Sequence, residues 1–248
     1  MENDKYTVGW HTEDSAATID MSASNTLAKS FVSNVMTYMA SALAISGVMA
    51  YWFGTNESLM QYLFTPTGTM SMLGWIVMLA PFGLVLLMGF GFKKLSSPVM
   101  LTVFVIYSVL MGMSLSFIFL AYTAATVYTT FFITAGTFGI MAFLGYTTST
   151  DLTKMGSILY MALIGLILAM VVNWFMNSAA MDYIISGIGV LIFTGLTAYD
   201  MQKIKHIGMV TDSKTEEGTK LALMGALNLY LDFVNLFLFL LRFLGNRN

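Results

Sequence analysis

Long uncharged apolar stretches alternate along the chain with short polar ones, and charged residues mark the breaks. A membrane-crossing helix takes roughly 20 apolar residues, so the spaces between charges can be read as crossings. Residues 1–30 hold Glu2, Asp4, Lys5, Glu13, Asp14, Asp20 and Lys29. They read as a polar leader without the apolar segment of a secretory signal. The first span is Phe31–Phe53, and the second runs from about Met70 to Phe92, stopped by Lys93 and Lys94. Leu95 to Thr150 is a run of 56 residues without charge, which suits two helices, placed at Pro98–Leu120 and Val127–Tyr146 with a turn between them. Pro98 falls in a first turn, where its missing N–H costs nothing. Ser157–Met176 is a fifth span. Ile184–Tyr199 opens a sixth that meets Asp200, and Leu221–Leu241 is a seventh with Asp232 in its middle. The expected architecture is an all-α polytopic membrane protein: a leader (1–30), a bundle of seven transmembrane helices (31–241) and a short C-terminal tail (242–248).

Composition supports this pattern. Hydrophobic residues make up 57% of the chain, charged residues 10%, and the mean hydropathy is +0.77. A soluble domain carries about 25% charge. Here 24 charges on 248 residues could not cover a water-facing surface. The net charge of −2 lacks the basic excess of a nucleic-acid binder. The absence of Cys excludes disulfides, thiolate nucleophiles and Cys-type metal sites. With only two His residues, His11 and His206, a His-rich catalytic metal centre is not expected, and no cofactor is implied. The 22 Met residues read as adaptable core filler. Nucleophile elbows, phosphate-cradling glycine loops and metalloprotease motifs are missing, so an enzyme is not the expected reading.

Loop charges give an orientation. Lys5, Lys29, Lys93, Lys94, Lys154, Lys203, Lys205, Lys214 and Lys220 would all fall on one side of a seven-span bundle. The positive-inside rule then puts the N-terminus in the cytoplasm. Seven full crossings leave Arg242 and Arg247 outside, whereas a re-entrant last segment would bring all 11 basic residues inside. The 21-residue length of the last span favours a full crossing. Ser108, Gly112 and Ser116 on span three, and Ala162, Gly165 and Ala169 on span five, have the spacing that lets helix backbones approach in lipid.

Two carboxylates need an explanation. An Asp at the centre of a membrane helix costs about 2.5–3.5 kcal/mol on insertion scales. Asp232 lies about 17 Å beyond Leu221 by the helical rise, with Asn228 and Asn235 on the same face. Such a stripe must face the bundle interior. Asp200 ends a second stripe with Thr194 and Thr197, about 9 Å from the helix end if that end is His206. Spans six and seven are antiparallel, so the acids approach in depth. A water-poor pair of this kind shares one proton, and when ionised it offers oxygen ligands to a hard cation such as Ca²⁺. Two plainer readings stand beside this one: Asp200 as an interfacial residue at a helix end, and Asp232 as a structural hydrogen-bond partner. Asp182 is expected to cap span six from the preceding loop. The Asp212–Glu217 stretch reads as a solvated loop, and Asn56-Glu57-Ser58 matches a glycosylation acceptor of a kind common by chance.

The strings Phe193-Thr-Gly-Leu-Thr-Ala-Tyr-Asp200-Met-Gln-Lys-Ile-Lys205 and Ala226-Leu-Asn-Leu-Tyr-Leu-Asp232-Phe-Val-Asn-Leu-Phe237, with Leu-Leu-Arg242-Phe after them, resemble the signature of the Bax inhibitor-1 (TMBIM, YccA-like) family. The resemblance implies six helices wrapped around a central seventh. It also implies a pH-sensitive Ca²⁺ leak gated by an Asp pair, which maps onto Asp200 and Asp232. A basic residue near the end of helix two pairs with the carboxylates in family members; Lys93 and Lys94 are the nearest candidates here. A helix-two Glu of some members is missing, the region reading Leu79-Ala80-Pro81-Phe82.

Three functions follow as expectations. The first is a passive Ca²⁺ leak in a bacterial cytoplasmic (inner) membrane, with Asp200 and Asp232 as transient metal ligands and Asn228, Asn235, Thr197, Lys93 and Lys94 in support. The second, suggested by the YccA-like branch, is a modulator of a membrane protease, with residues 1–30 as the handle. The third is a proton-coupled carrier, since intramembrane acids also serve proton relays; the chain lacks the inverted repeat that carriers often show.

Overall fold

The structure is a computed structural model and describes residues 21–65 and 69–245. The first 20 residues, and with them most of the expected leader, lie outside the described residues, as do residues 246–248. Among the described residues the chain forms nine helices: α1 (Met21–Gly54), α2 (Glu57–Leu63), α3 (Met72–Gly91), α4 (Ser97–Leu115), α5 (Ile118–Ala121), α6 (Ala124–Thr147), α7 (Thr153–Met176), α8 (Ala179–Val210) and α9 (Glu216–Leu244). Seven stretches are long and apolar enough to cross a membrane: α1, α3, α4 continued through α5, α6, α7, α8 and α9. The seven-span expectation holds.

Most helices start before the apolar run, because polar caps extend the helix beyond the residues that lipid selects; α3 is the exception, starting two residues inside it. Ser71, Thr123, Ser178 and Thr215 each accept a hydrogen bond from a backbone N–H of the helix they start. Thr215 therefore starts α9 five residues before the first apolar position, Leu221. Pro98 occupies the first turn of α4, as its chemistry dictates. Asn56 accepts from the Ser58 N–H and caps the short α2. Asp212 accepts from the Lys214 N–H and belongs to the turn before α9.

The C-terminal helix is the centre of the bundle. In α9, 72% of the most apolar window is buried, against 11–33% in the other six spans. It packs on α1, α4, α6 and α8, while α3 leans on α4 and α7 on α8. Its core face includes Leu223, Leu227, Leu229, Tyr230 and Leu236. The other spans turn Leu, Ile, Phe and Trp outward, as expected of surfaces whose solvent is hydrocarbon.

Close backbone approach locks the ring. Around Gly112 on α4 there is no room for a Cβ, which would lie 2.5 Å from the Ser46 carbonyl oxygen of α1. Nearby, the Ser46 hydroxyl donates to the Ser108 carbonyl at 2.7 Å and pairs with the Tyr230 hydroxyl at 2.7 Å. The small-residue stripe of span three thus does what its spacing predicts. That of span five does not: nothing lies within 4 Å of where a Gly165 Cβ would sit. Ala162, Gly165 and Ala169 instead border an apolar hollow of about 400 Å³ against Met181, Ile184 and Ile188 of α8.

Two lysines fasten the central hairpin at one end. The Lys205 ammonium of α8 donates to the Tyr146 carbonyl at the end of α6, at 2.8 Å. Lys220 of α9 donates to the Phe92 and Leu95 carbonyls between α3 and α4, at 3.1 and 3.3 Å. Tyr146 and Phe92 stand at helix C-termini, where unpaired carbonyls favour positive charge, and Leu95 lies in the turn that follows α3. The same end carries Lys29, Lys93, Lys154 and Lys203, so the described lysines gather on one side as the alternating spans require.

Candidate functional site

Helices α8 and α9 run antiparallel from the turn at residues 211–215. Asp200 lies ten residues inside the end of α8 at Val210, about 15 Å deep by the helical rise. The helix outlasts His206 by a full turn, so the acid is deeper than the sequence implied. Asp232 lies 16 residues beyond the start of α9. Both are buried, with 3% and 5% of their surface exposed. Asp200 is therefore buried well inside its helix rather than at the helix end.

The two carboxyl groups are near neighbours and line one cavity. Asp200 Oδ1 accepts from the Tyr160 hydroxyl of α7 at 3.4 Å. Asp232 Oδ2 is buried and has no hydrogen-bond partner among the described residues. An orphaned oxygen of this kind is costly in a dry interior. Lys203, one turn beyond Asp200 on α8, is the cation whose charge is felt there.

Two cavities border this point. One, of about 570 Å³, opens towards the lysine-bearing end and is lined by Lys93, Lys203, Leu221, Met224, Asn228 and Asp200. The other, of about 590 Å³, runs towards the opposite end and is lined by Asp200, Asn228, Asp232, Asn235, Tyr160 and Arg242, with Phe82 of α3 among its apolar walls. Asp200 and Asn228 belong to both. From Leu221 to Arg242 the lining follows one side of α9 for 21 residues, about 32 Å by the helical rise. That is close to the roughly 30 Å thickness of a bilayer's hydrocarbon core.

Most of the residues expected at the site come together here. Asn228 and Asn235 line the cavities, and the Asn235 amide donates to the Leu231 carbonyl at 2.8 Å. Lys93 lines the first cavity, but neither it nor Lys94 forms an ion pair with either acid; both are exposed. Thr197 is a correction: it is fully buried, returns its hydroxyl to the Phe193 carbonyl at 2.7 Å and lines neither cavity. Asp182 is a second correction. It sits in the first turn of α8, where Ser178 is the cap, and its carboxylate meets Arg242 at 3.3 Å. Tyr160 and Lys203 were not anticipated. Lys203 was open to a one-turn search from Asp200, whereas Tyr160 comes from a different helix and gave no signal in the sequence.

A buried acid pair between two antiparallel helices, in a seven-span bundle closed around its last helix, defines a class of polytopic membrane protein. The comparisons place the chain within it. Residues 28–248 match the family described as inhibitor of apoptosis-promoting Bax1, and the chain belongs to this Bax inhibitor-1 family. It is 42% identical over 220 residues to the inner membrane protein YbhL of Escherichia coli (strain K12), covering 88% of this chain and 92% of that one. Uncharacterized proteins of Borreliella burgdorferi and Rickettsia prowazekii are 46% and 44% identical over 217 residues, covering 88% of this chain and 92% and 89% of theirs.

Proposed function

We propose that this integral membrane protein is a pH-dependent calcium leak of a bacterial inner membrane, its N-terminus in the cytoplasm. The observation that carries the reading is that two cavities share Asp200 and Asn228 in their lining, which follows α9 over a length close to the thickness of the hydrocarbon core. A cation crossing there exchanges water for the oxygens of Asp200, Asp232, Asn228, Asn235 and Tyr160. These are fewer firm ligands than the six to eight oxygens of a resident Ca²⁺ site, which suits passage rather than storage. Ionisation of the pair draws a divalent cation inward, and protonation removes that attraction. The lysines at one end and the inner-membrane location of YbhL support the orientation and the membrane.

The test is Ca²⁺ entry into liposomes that hold a calcium-sensitive dye, measured across a pH series. Asp232→Asn keeps the shape of the side chain but cannot ionise. It is expected to lower the rate and flatten the pH profile. A variant with unchanged rate and unchanged profile refutes the role of the acid pair, and wild-type protein that admits no Ca²⁺ at any pH refutes the leak.

A further inference from the structure

The inner cavity ends at Arg242, and so does a second hollow beyond it. That outer hollow, of about 380 Å³, is lined by Asn173, Asn177, Ser178, Asp182 and Arg242. Arg242 and Met170 are common to both spaces, so a solute passing from one to the other passes the guanidinium. An arginine stays charged at every physiological pH, and fixed cations in a narrow pore exclude cations. Its partner is Asp182, at 3.3 Å, with both side chains partly exposed. Asp182 stands in the first turn of α8 and Arg242 in the last turn of α9, each at the helix end whose dipole favours its charge.

We propose that the Arg242–Asp182 pair is a charge-selective mouth to the inner cavity, in which Asp182 cancels the barrier that Arg242 alone would raise against cations. The inference rests on the leak reading for its biological role, but its geometry can be tested without flux. A purely structural clasp between α8 and α9 would show no dependence on the sign of a passing charge. The mouth requires opposite effects from its two members.

The chain has no cysteine, so Asn235→Cys places a single reporter thiol in the inner cavity, two turns inward from Arg242. The full-length protein is treated with small cationic and anionic thiosulfonates of matched size. Taking the ratio of the two rates cancels any change in the thiol's own reactivity. Adding Asp182→Asn is expected to lower the cationic-to-anionic ratio about tenfold, the effect of about one unit charge felt a few ångströms away in a watery mouth. Adding Arg242→Gln should raise it by a similar factor, and the double neutralisation should bring it back. The charge swap Asp182→Arg with Arg242→Asp keeps the pair and guards against misfolded single variants; it should restore a ratio near the starting value. A ratio that does not move in either single variant, or that moves the same way in both, overturns the mouth.

Calcium and potassium entry into liposomes are then measured for the same variants without the reporter. The fold-change for Ca²⁺ should be about the square of that for K⁺, because the charge is doubled. Wild-type liposomes that admit no Ca²⁺, with the thiol ratio still shifting, would remove the leak and leave the mouth standing. A leak that persists with an immobile ratio would do the reverse.

Discussion

Gly145 on α6 is where the ring presses hardest on the helix that carries Asp200. A Cβ added there would fall on the Ala198 carbonyl oxygen and lie 2.8 Å from that residue's carbonyl carbon and Cα. These are backbone atoms two residues from the acid, and no rotamer change can move them aside. Gly145→Ala must therefore push α6 and α8 apart. Overpacking of this kind costs about 1–3 kcal/mol. For a chain of this size the cost corresponds to a fall of about 2–12 °C in the unfolding midpoint. Gly136 is the internal control, since it lies on the same helix with nothing within 4 Å of its added Cβ. Gly136→Ala should be neutral or slightly stabilising, because alanine is the better helix former. The assay is thermal unfolding in detergent, followed by tryptophan fluorescence and read beside the Ca²⁺ flux. Equal midpoints for the two variants would refute the argument that Gly145 sets the α6–α8 distance.

Two tyrosines that meet edge to face, their ring centroids 5.2 Å apart, should respond in opposite directions. Tyr107 has a buried hydroxyl with no partner among the described residues, so Tyr107→Phe should leave the protein about as stable or more stable by up to about 1 kcal/mol. Tyr230 bonds to Ser46, so Tyr230→Phe should cost about 1 kcal/mol, measured by the same unfolding assay. Lys220→Met should loosen the α3–α4 connection by removing two charge-assisted hydrogen bonds and a contact over the Phe92 ring. The expected loss is about 1–3 kcal/mol, visible as faster amide exchange near residues 92–95 with the α6–α7 connection unaffected.

The seven spans and both acids were legible because lipid is an unforgiving solvent. Any stretch that holds no charge for twenty residues has few other fates, and an Asp inside one must find a partner. The central place of α9 came from resemblance to a family, since its low lipid exposure depends on contacts with four other helices. Helix ends were misplaced because caps are polar: Thr215 and Ser178 look like loop residues until their bonds to backbone N–H groups are seen. Tyr160, and the partnership of Arg242 with Asp182, depend on how helices rotate against one another, which spacing within one helix cannot express. Thr197 was drawn to the site by its position one turn before Asp200, but its hydroxyl was already engaged by its own backbone.

The most deeply enclosed helix is also made after the six spans that surround it. Until α9 emerges, the six helices made before it have walls shaped for a column that is not yet there. Asp232 must enter the bilayer as part of a late arrival and find Asp200 already waiting. The bundle therefore fills its centre on its most polar step, and a chain cut short before residue 216 would leave its six earlier spans around an empty middle.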